Sequence, residues 1–169
     1  MLAKADVTLD EAKLGALLAS FFPASEEDID WQKVACTLAI IKRFCVITGG
    51  PGTGKTTTIV KILVLLFEQA LNAGSPPLLI DLLAPTGKAA ARLEESVRTA
   101  GSGLELPEET RRLIQLAGAT LHRRLGYSRR GFGSFRHGKD NPLGSDVVIV
   151  DEASMIDLSM MTRLFEAVP

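Results

Sequence analysis

Leu9, Leu14, Leu17 and Leu18 recur at helical spacing near the start of the chain. Thr8, Leu9, Asp10 and Glu11 fit a capping box, with a threonine three residues before a glutamate. The spacing predicts a helix over residues 8–21, stopped by Pro23. An acidic joint follows at 25–30, then a second helix over 31–42. Residues 44–48 (FCVIT) form a short β-rich run that ends in glycines, which predicts a buried parallel strand. The stretch 55–73 is apolar on most sides and predicts a buried helix. A second strand is predicted at 78–84 and a helix at 87–100. Residues 101–141 are irregular, with short helices expected at 108–116 and 120–125. The Gly/Arg/Phe stretch after Gly126 is either a hairpin or a mobile loop. A third strand at 146–150 and a last helix at 157–167 close the pattern. There is no internal repeat and no low-complexity block.

Strands alternating with helices imply a parallel sheet covered on both faces. Ligands in such folds sit at the carboxyl ends of the strands. Each of the three strands is followed there by a chemically distinctive segment, so a single site is expected. The 169 residues suffice for one domain with a sizeable core. With 46% apolar and 23% charged residues, a disordered tail, a collagen and a coiled coil are excluded. The net charge of −1 hides an asymmetry: residues 122–139 hold six basic side chains and no acidic one. Such a local basic stretch is a candidate contact for nucleic acid.

Cys36 and Cys45 are too few for a disulfide framework and too far apart for a metal pair. Their apolar surroundings suggest buried thiols in a reducing compartment. The longest apolar run, 59–67, is interrupted by Lys61 and falls well short of the ~20 residues that span a bilayer. The N-terminus carries no apolar core with a cleavage site. The expectation is a cytoplasmic protein without a membrane partner.

The strongest chemical signal is GGPGTGKT at 49–56, which matches G-x-x-x-x-G-K-[ST] between a predicted strand and a predicted helix. Gly50, Pro51, Gly52, Thr53 and Gly54 would turn backbone N–H groups inward around a polyphosphate. Lys55 can reach the β and γ phosphates, and the Thr56 hydroxyl can ligate Mg²⁺; Thr57 extends the nucleotide-binding set. The last strand ends in Asp151 and Glu152. Asp151 would be the second Mg²⁺ anchor, and Glu152 would orient an attacking water. That pair favours hydrolysis over transfer to a metabolite, and with Lys55 it makes the candidate catalytic set.

Three weaker segments each carry two readings. Pro85, Thr86 and Lys88, at the end of the second strand, suit a phosphate contact at a helix start, or form an ordinary strand-to-helix turn. Thr120 is a good N-cap. His122 is a ligand contact or a satisfied surface or core histidine. The arginines around Tyr127, Phe132 and Phe135 resemble a single-strand surface, where cations follow the backbone and aromatics stack on bases, or form a solvated loop. Gln32 either contacts an adenine edge or is a surface glutamine.

Taken in order, GGPGTGKTTT, APTGKAAARL, TLHRRLG and VDEASMIDL resemble motifs I, Ia, Ic and II of superfamily 1 helicases. The wording is closer to the RecD family, the alpha subunit of exodeoxyribonuclease V. WQKVA ahead of the P-loop and NPLGSDVVIVDEASMIDL support the same match, which covers residues 31–169. The resemblance implies an α/β fold: a three-layer P-loop NTPase (RecA-like) parallel sheet with flanking helices, preceded by a short helical segment. It implies an ATP- and Mg²⁺-dependent motor moving 5′ to 3′ on single-stranded DNA in double-strand break repair. Gln32 becomes an adenine contact. Pro85, Thr86, Lys88, Arg92, Thr120 and His122 become DNA contacts. Residues 1–30 would end a region that docks the partner beta and gamma subunits, and 31–169 would be the ATPase domain.

Family members continue into a Gly-Asp-x-x-Gln-Leu strand and a second RecA-like domain carrying an arginine finger. The 169 residues contain neither, so the sheet is expected to be truncated before the motif III strand. The P-loop strand and the Asp151 strand then pair directly, or a neighbouring chain fills the gap, or the sheet is split. Because an arginine finger is worth ~10³–10⁵ in turnover, these residues alone are expected to bind Mg·ATP, turn it over slowly, unwind nothing, and be marginally stable or self-associating. Two other readings fit the residues less well. An AAA-type remodeller does not need Lys88 and the Thr120–His122 element, and a non-catalytic scaffold does not need Glu152.

Overall fold

Two aspartates, Asp10 and Asp30, fix where the first helices begin. The computed structural model describes residues 2–3, 10–23, 29–50, 52–104, 107–113, 116–128 and 134–169. The chain divides into two compact units, one of residues 1, 5–78 and 97–115, the other of residues 2–4, 79–96 and 116–169.

In the first unit, α1 (Glu11–Phe21) is capped by Asp10, whose side chain accepts from the Lys13 amide at 3.0 Å. This corrects the expected start at Thr8. Thr8 and Leu9 lie outside the described residues, as does most of the acidic joint (24–28). α2 (Trp31–Ile41) is capped by Asp30, which accepts from the amides of Gln32 and Lys33. α3 (Lys55–Asn72) buries Val60, Ile62, Leu63, Leu65 and Phe67, so it is apolar around its circumference, as the pattern required. It packs against α1, α2 and α5 (Glu108–Leu113). Gln69 on α3 is buried and holds the start of α1: it accepts from the Asp10 amide at 3.1 Å and donates to the Asp10 carbonyl at 3.4 Å.

The strand expected at 44–48 does not form. Phe44 makes a single bridge, and residues 45–50 have no regular structure. Val46 is 68% exposed. A β-prone run becomes a strand only where a ladder partner and a packed face exist. The sheet described below contains no strand from this segment.

The second unit is built on a four-stranded sheet in the order β1-β4-β2-β3. Here β1 is Leu2–Ala3, β2 Ile80–Ala84, β3 Gly118–Thr120 and β4 Val147–Val150. β4, β2 and β3 run parallel, whereas β1 pairs antiparallel with β4. β3 was not expected: three residues of Gly, Ala and Thr carry no apolar alternation. α4 (Gly87–Ser102) follows β2, with its residues 87–96 in this unit. α6 (Leu121–Arg124) follows β3, and α7 (Leu158–Ala167) closes the chain, capped by Asp157. Leu83, Leu121, Leu125, Val148, Met160 and Leu164 share one core. Beyond Gly126 there are two isolated antiparallel bridges, Ser128–Ser134 and Gly138–Asn141. Residues 129–133, with Arg129, Arg130 and Phe132, lie outside the described residues. The expected class, an α/β P-loop fold with a truncated parallel sheet and flanking helices, is what these elements make. Among the described residues, no helix is long and apolar enough to cross a membrane.

Candidate functional site

The P-loop belongs to the first unit. Gly52 and Gly54 have φ of +75° and +80°, conformations that a side chain disfavours. Gly54 is the N-cap of α3 and brings no side chain to cap its first amides. Those amides, with the helix dipole, face the loop as an anion-binding end. The Lys55 ammonium donates to the carbonyls of Gly49 and Gly50, both at 2.7 Å. The Thr53 hydroxyl donates to the Gly50 carbonyl at 2.9 Å. Thr56 is half-buried and Thr57 exposed. Pro51 lies outside the described residues.

Gln32 is no free surface glutamine. Its Nε2 donates to the Thr53 carbonyl at 3.3 Å, so Asp30, by capping α2, sets a side chain that braces the P-loop. Beside it lies a cavity of about 410 Å³ lined by Trp31, Gln32, Val34, Leu38, Gly49 and Lys55, among others. Its size falls in the usual range for small-molecule sites.

The remaining candidates belong to the second unit, and the sheet register gathers them. Leu83 is level with Val150, and Ala84 with Thr120. The segments after β4, β2 and β3 therefore emerge side by side at one carboxyl edge. Asp151 continues the ladder, its amide donating to the Leu83 carbonyl at 2.9 Å. Its Oδ1 accepts from the Glu152 amide at 2.9 Å. Glu152 has φ 51° and ψ 37°, the one non-glycine residue with positive φ among those described. Left-handed backbone at such a residue costs ~1–2 kcal/mol and exposes the carboxylate at the head of the 3-10 turn Ala153–Met155.

Next to it, Thr86 Oγ1 accepts from the Ala89 amide at 3.2 Å and caps α4. The two readings of this segment are thus compatible, because a capping hydroxyl keeps its own proton to donate. Lys88 and Arg92 are both exposed, one helical turn apart on the same face of α4. Pro85 is half-buried. Thr120 Oγ1 caps α6 through the Arg123 amide at 3.2 Å. His122 is exposed, its ring 5.5 Å from that of Tyr127 and perpendicular to it.

The basic stretch is smaller than its composition suggested. Arg124 is withdrawn into an ion pair with Asp81, Nε to Oδ2 at 2.6 Å, and donates to Ser145 Oγ at 3.0 Å. Arg163 was not singled out by sequence, yet its guanidinium lies 4.8 Å over the Phe135 ring. Neither partnership carries a local sequence signal: Asp81 and Arg124 are 43 residues apart.

The model for AAA domains matches residues 32–169, most of the chain. The chain belongs to the AAA domain family. Among its relatives is the RecBCD enzyme subunit RecD of Mycolicibacterium smegmatis, 52% identical over 137 residues, which is 81% of this chain and 24% of the relative. The protein of the same name from Mycobacterium tuberculosis strain H37Rv is 46% identical over 165 residues, 93% of this chain and 28% of the relative. The ATP-dependent RecD2 DNA helicase of Deinococcus radiodurans is 41% identical over 128 residues, 75% of this chain and 14% of the relative. The resemblance to RecD read from the motifs is therefore borne out. The chain spans about a quarter of the length of the RecD relatives it matches.

Proposed function

We propose that the chain is the ATP-binding motor domain, residues 31–169 preceded by a segment over 1–30 that carries the helix Glu11–Phe21, of a 5′-to-3′ DNA helicase subunit of the exodeoxyribonuclease V type. ATP hydrolysis would drive movement along single-stranded DNA in double-strand break repair. The beta and gamma subunits of that complex would be its partners. The RecD names of its relatives favour this reading over a remodelling ATPase.

The observation that carries it is the carboxyl edge of the sheet. Glu152, the helix start bearing Lys88 and the Thr120-capped helix carrying His122 emerge there from adjacent strands, an arrangement that would couple hydrolysis to a DNA backbone. On the nucleotide side, Gln32 would read the adenine, and Gly50–Gly54 amides would cradle phosphates. Lys55 would leave its loop carbonyls for the β and γ phosphates, while Glu152 would align the attacking water. On the DNA side, Thr86, Lys88, Arg92 and Thr120 would hold phosphates, with Pro85 shaping the turn and His122 beside them.

Mg²⁺ prefers hard oxygen donors and binds through one or two carboxylates together with substrate phosphates. The Thr56 hydroxyl of the first unit and the Asp151 carboxylate of the second are each a donor of that kind. When bound, the ion would neutralise charge developing on the phosphates.

The test is ATP turnover by the full-length protein with and without single-stranded DNA. Strong stimulation by DNA, lost in Glu152→Gln while ATP binding is kept, is the expected result. DNA-independent turnover, or full activity in Glu152→Gln, would overturn the reading.

A further inference from the structure

The ring of His122 in α6 meets those of Tyr127 and Phe135. The Tyr127 ring lies 5.5 Å from His122 and 5.2 Å from Phe135. His122 and Phe135 are 6.1 Å apart. Arg163 of α7 covers Phe135. Phe135 packs against the core, so its role as an anchor is structural. Tyr127 is different: it is 42% exposed, although it has two aromatic neighbours to lean on.

The backbone under Tyr127 is fixed. Its amide donates to the His122 carbonyl at 2.9 Å, and the Arg136 amide donates to the Leu125 carbonyl at 3.0 Å. Gly126, at φ +71°, forms the turn between them, and a Cβ there would lie 2.6 Å from Arg136 Cβ. The result is an aromatic side chain held on a hydrogen-bonded turn and exposed; Arg123, Arg136 and Arg163, whose guanidinium lies over the neighbouring Phe135, are exposed as well. Aromatic faces among cations are how proteins bind single strands without reading sequence: bases stack while cations follow the phosphates. A ring that only filled a small core would be covered.

We propose that Tyr127, backed by His122 and Phe135 and flanked by Arg163, is a stacking platform for one unpaired base of a DNA single strand. This rests on the DNA reading above and adds a base contact to a surface otherwise built for phosphates. The test measures binding of the full-length protein to a labelled oligothymidylate and to an abasic strand of the same length. Tyr127→Leu, which keeps apolar bulk but no π face, is expected to weaken thymidylate binding by about tenfold and to leave abasic binding unchanged. Tyr127→Phe is expected to bind as the unaltered protein does. In that unaltered protein, a strand carrying 5-iododeoxyuridine should photocrosslink to Tyr127. Equal loss on both strands, no loss, or crosslinking confined to other residues would overturn the platform while leaving the DNA reading intact. Failure of the unaltered protein to bind either strand would overturn both.

Discussion

Asp81 near the start of β2 holds Arg124 of α6 through a 2.6 Å contact, and the Ser145 hydroxyl donates to the same carboxylate oxygen. The pair ties the short helix that carries His122 to the central strand. Both side chains are partly buried, so removing one leaves the charge of the other without its partner. Arg124→Met is expected to lower stability by about 1–3 kcal/mol, the cost of an unsatisfied polar partner. Adding Asp81→Asn should recover part of that loss, because the neutral amide can still accept from Ser145. A double-mutant cycle by urea unfolding measures the coupling; additive losses would show that the pair is incidental.

Gly118 fixes the height of β3 against α4. A Cβ there would lie 2.3 Å from the Ala90 carbonyl oxygen, a backbone atom that cannot step aside. The Gly118 amide also donates to Glu94 of α4 at 2.9 Å. Gly118→Ala should therefore push β3 away and misplace Thr120 with α6. The expected outcome is about 1–3 kcal/mol of lost stability together with weaker binding of single-stranded DNA. Unchanged thermal melting would contradict the tight approach.

Glu152 exchanges backbone strain for a placed carboxylate. Glu152→Gly relieves the left-handed conformation and is expected to raise stability by about 0.5–1 kcal/mol. ATP turnover should be lost in the same variant. Glu152→Gln, which keeps the strain, should lose turnover without gaining stability. Calorimetry and an ATPase assay on the two variants separate the effects.

Much of this was legible in the chain because the chemistry demands particular residues at fixed spacing. The P-loop glycines, Lys55 and the Asp151–Glu152 strand end are such cases, and the helix start at Lys55 follows from them, whereas the Asp30 cap that starts α2 shows only in the structure. What was not legible depends on partners distant in sequence. Residues 44–48 have β propensity, but a ladder decides whether a strand forms. β3 is three residues long and exists because Gly118 fits under α4. Arg124 counts as a surface cation until Asp81 is seen beside it. The left-handed Glu152 has no sequence signal, since glutamate is an ordinary residue at ordinary φ.

Cys36 offers a pH-dependent check on the packing of α2 and α3. Its side chain is fully buried, and its Sγ lies 3.8 Å from the Thr58 carbonyl. Burial pushes the thiol from 9.0 up to about 12, with Lys61 opposing and Asp30 adding to the rise. Between those values the unfolded chain loses the proton and the folded chain keeps it. Folding stability therefore falls as pH rises through that window and is intact below it. Cys36→Ala should flatten the decline in urea midpoint between about pH 9 and 11. An identical slope in the variant would mean that the thiol ionises in the folded state.

The most direct measurement is a titration of a fluorescent Mg·ATP analogue into the protein and into Lys55→Ala. The account expects saturable binding that weakens by about tenfold or more in the variant, because Lys55 is the cation at the centre of the phosphate loop. Equal binding by both proteins, or none by either, would contradict a nucleotide site built on residues 49–56.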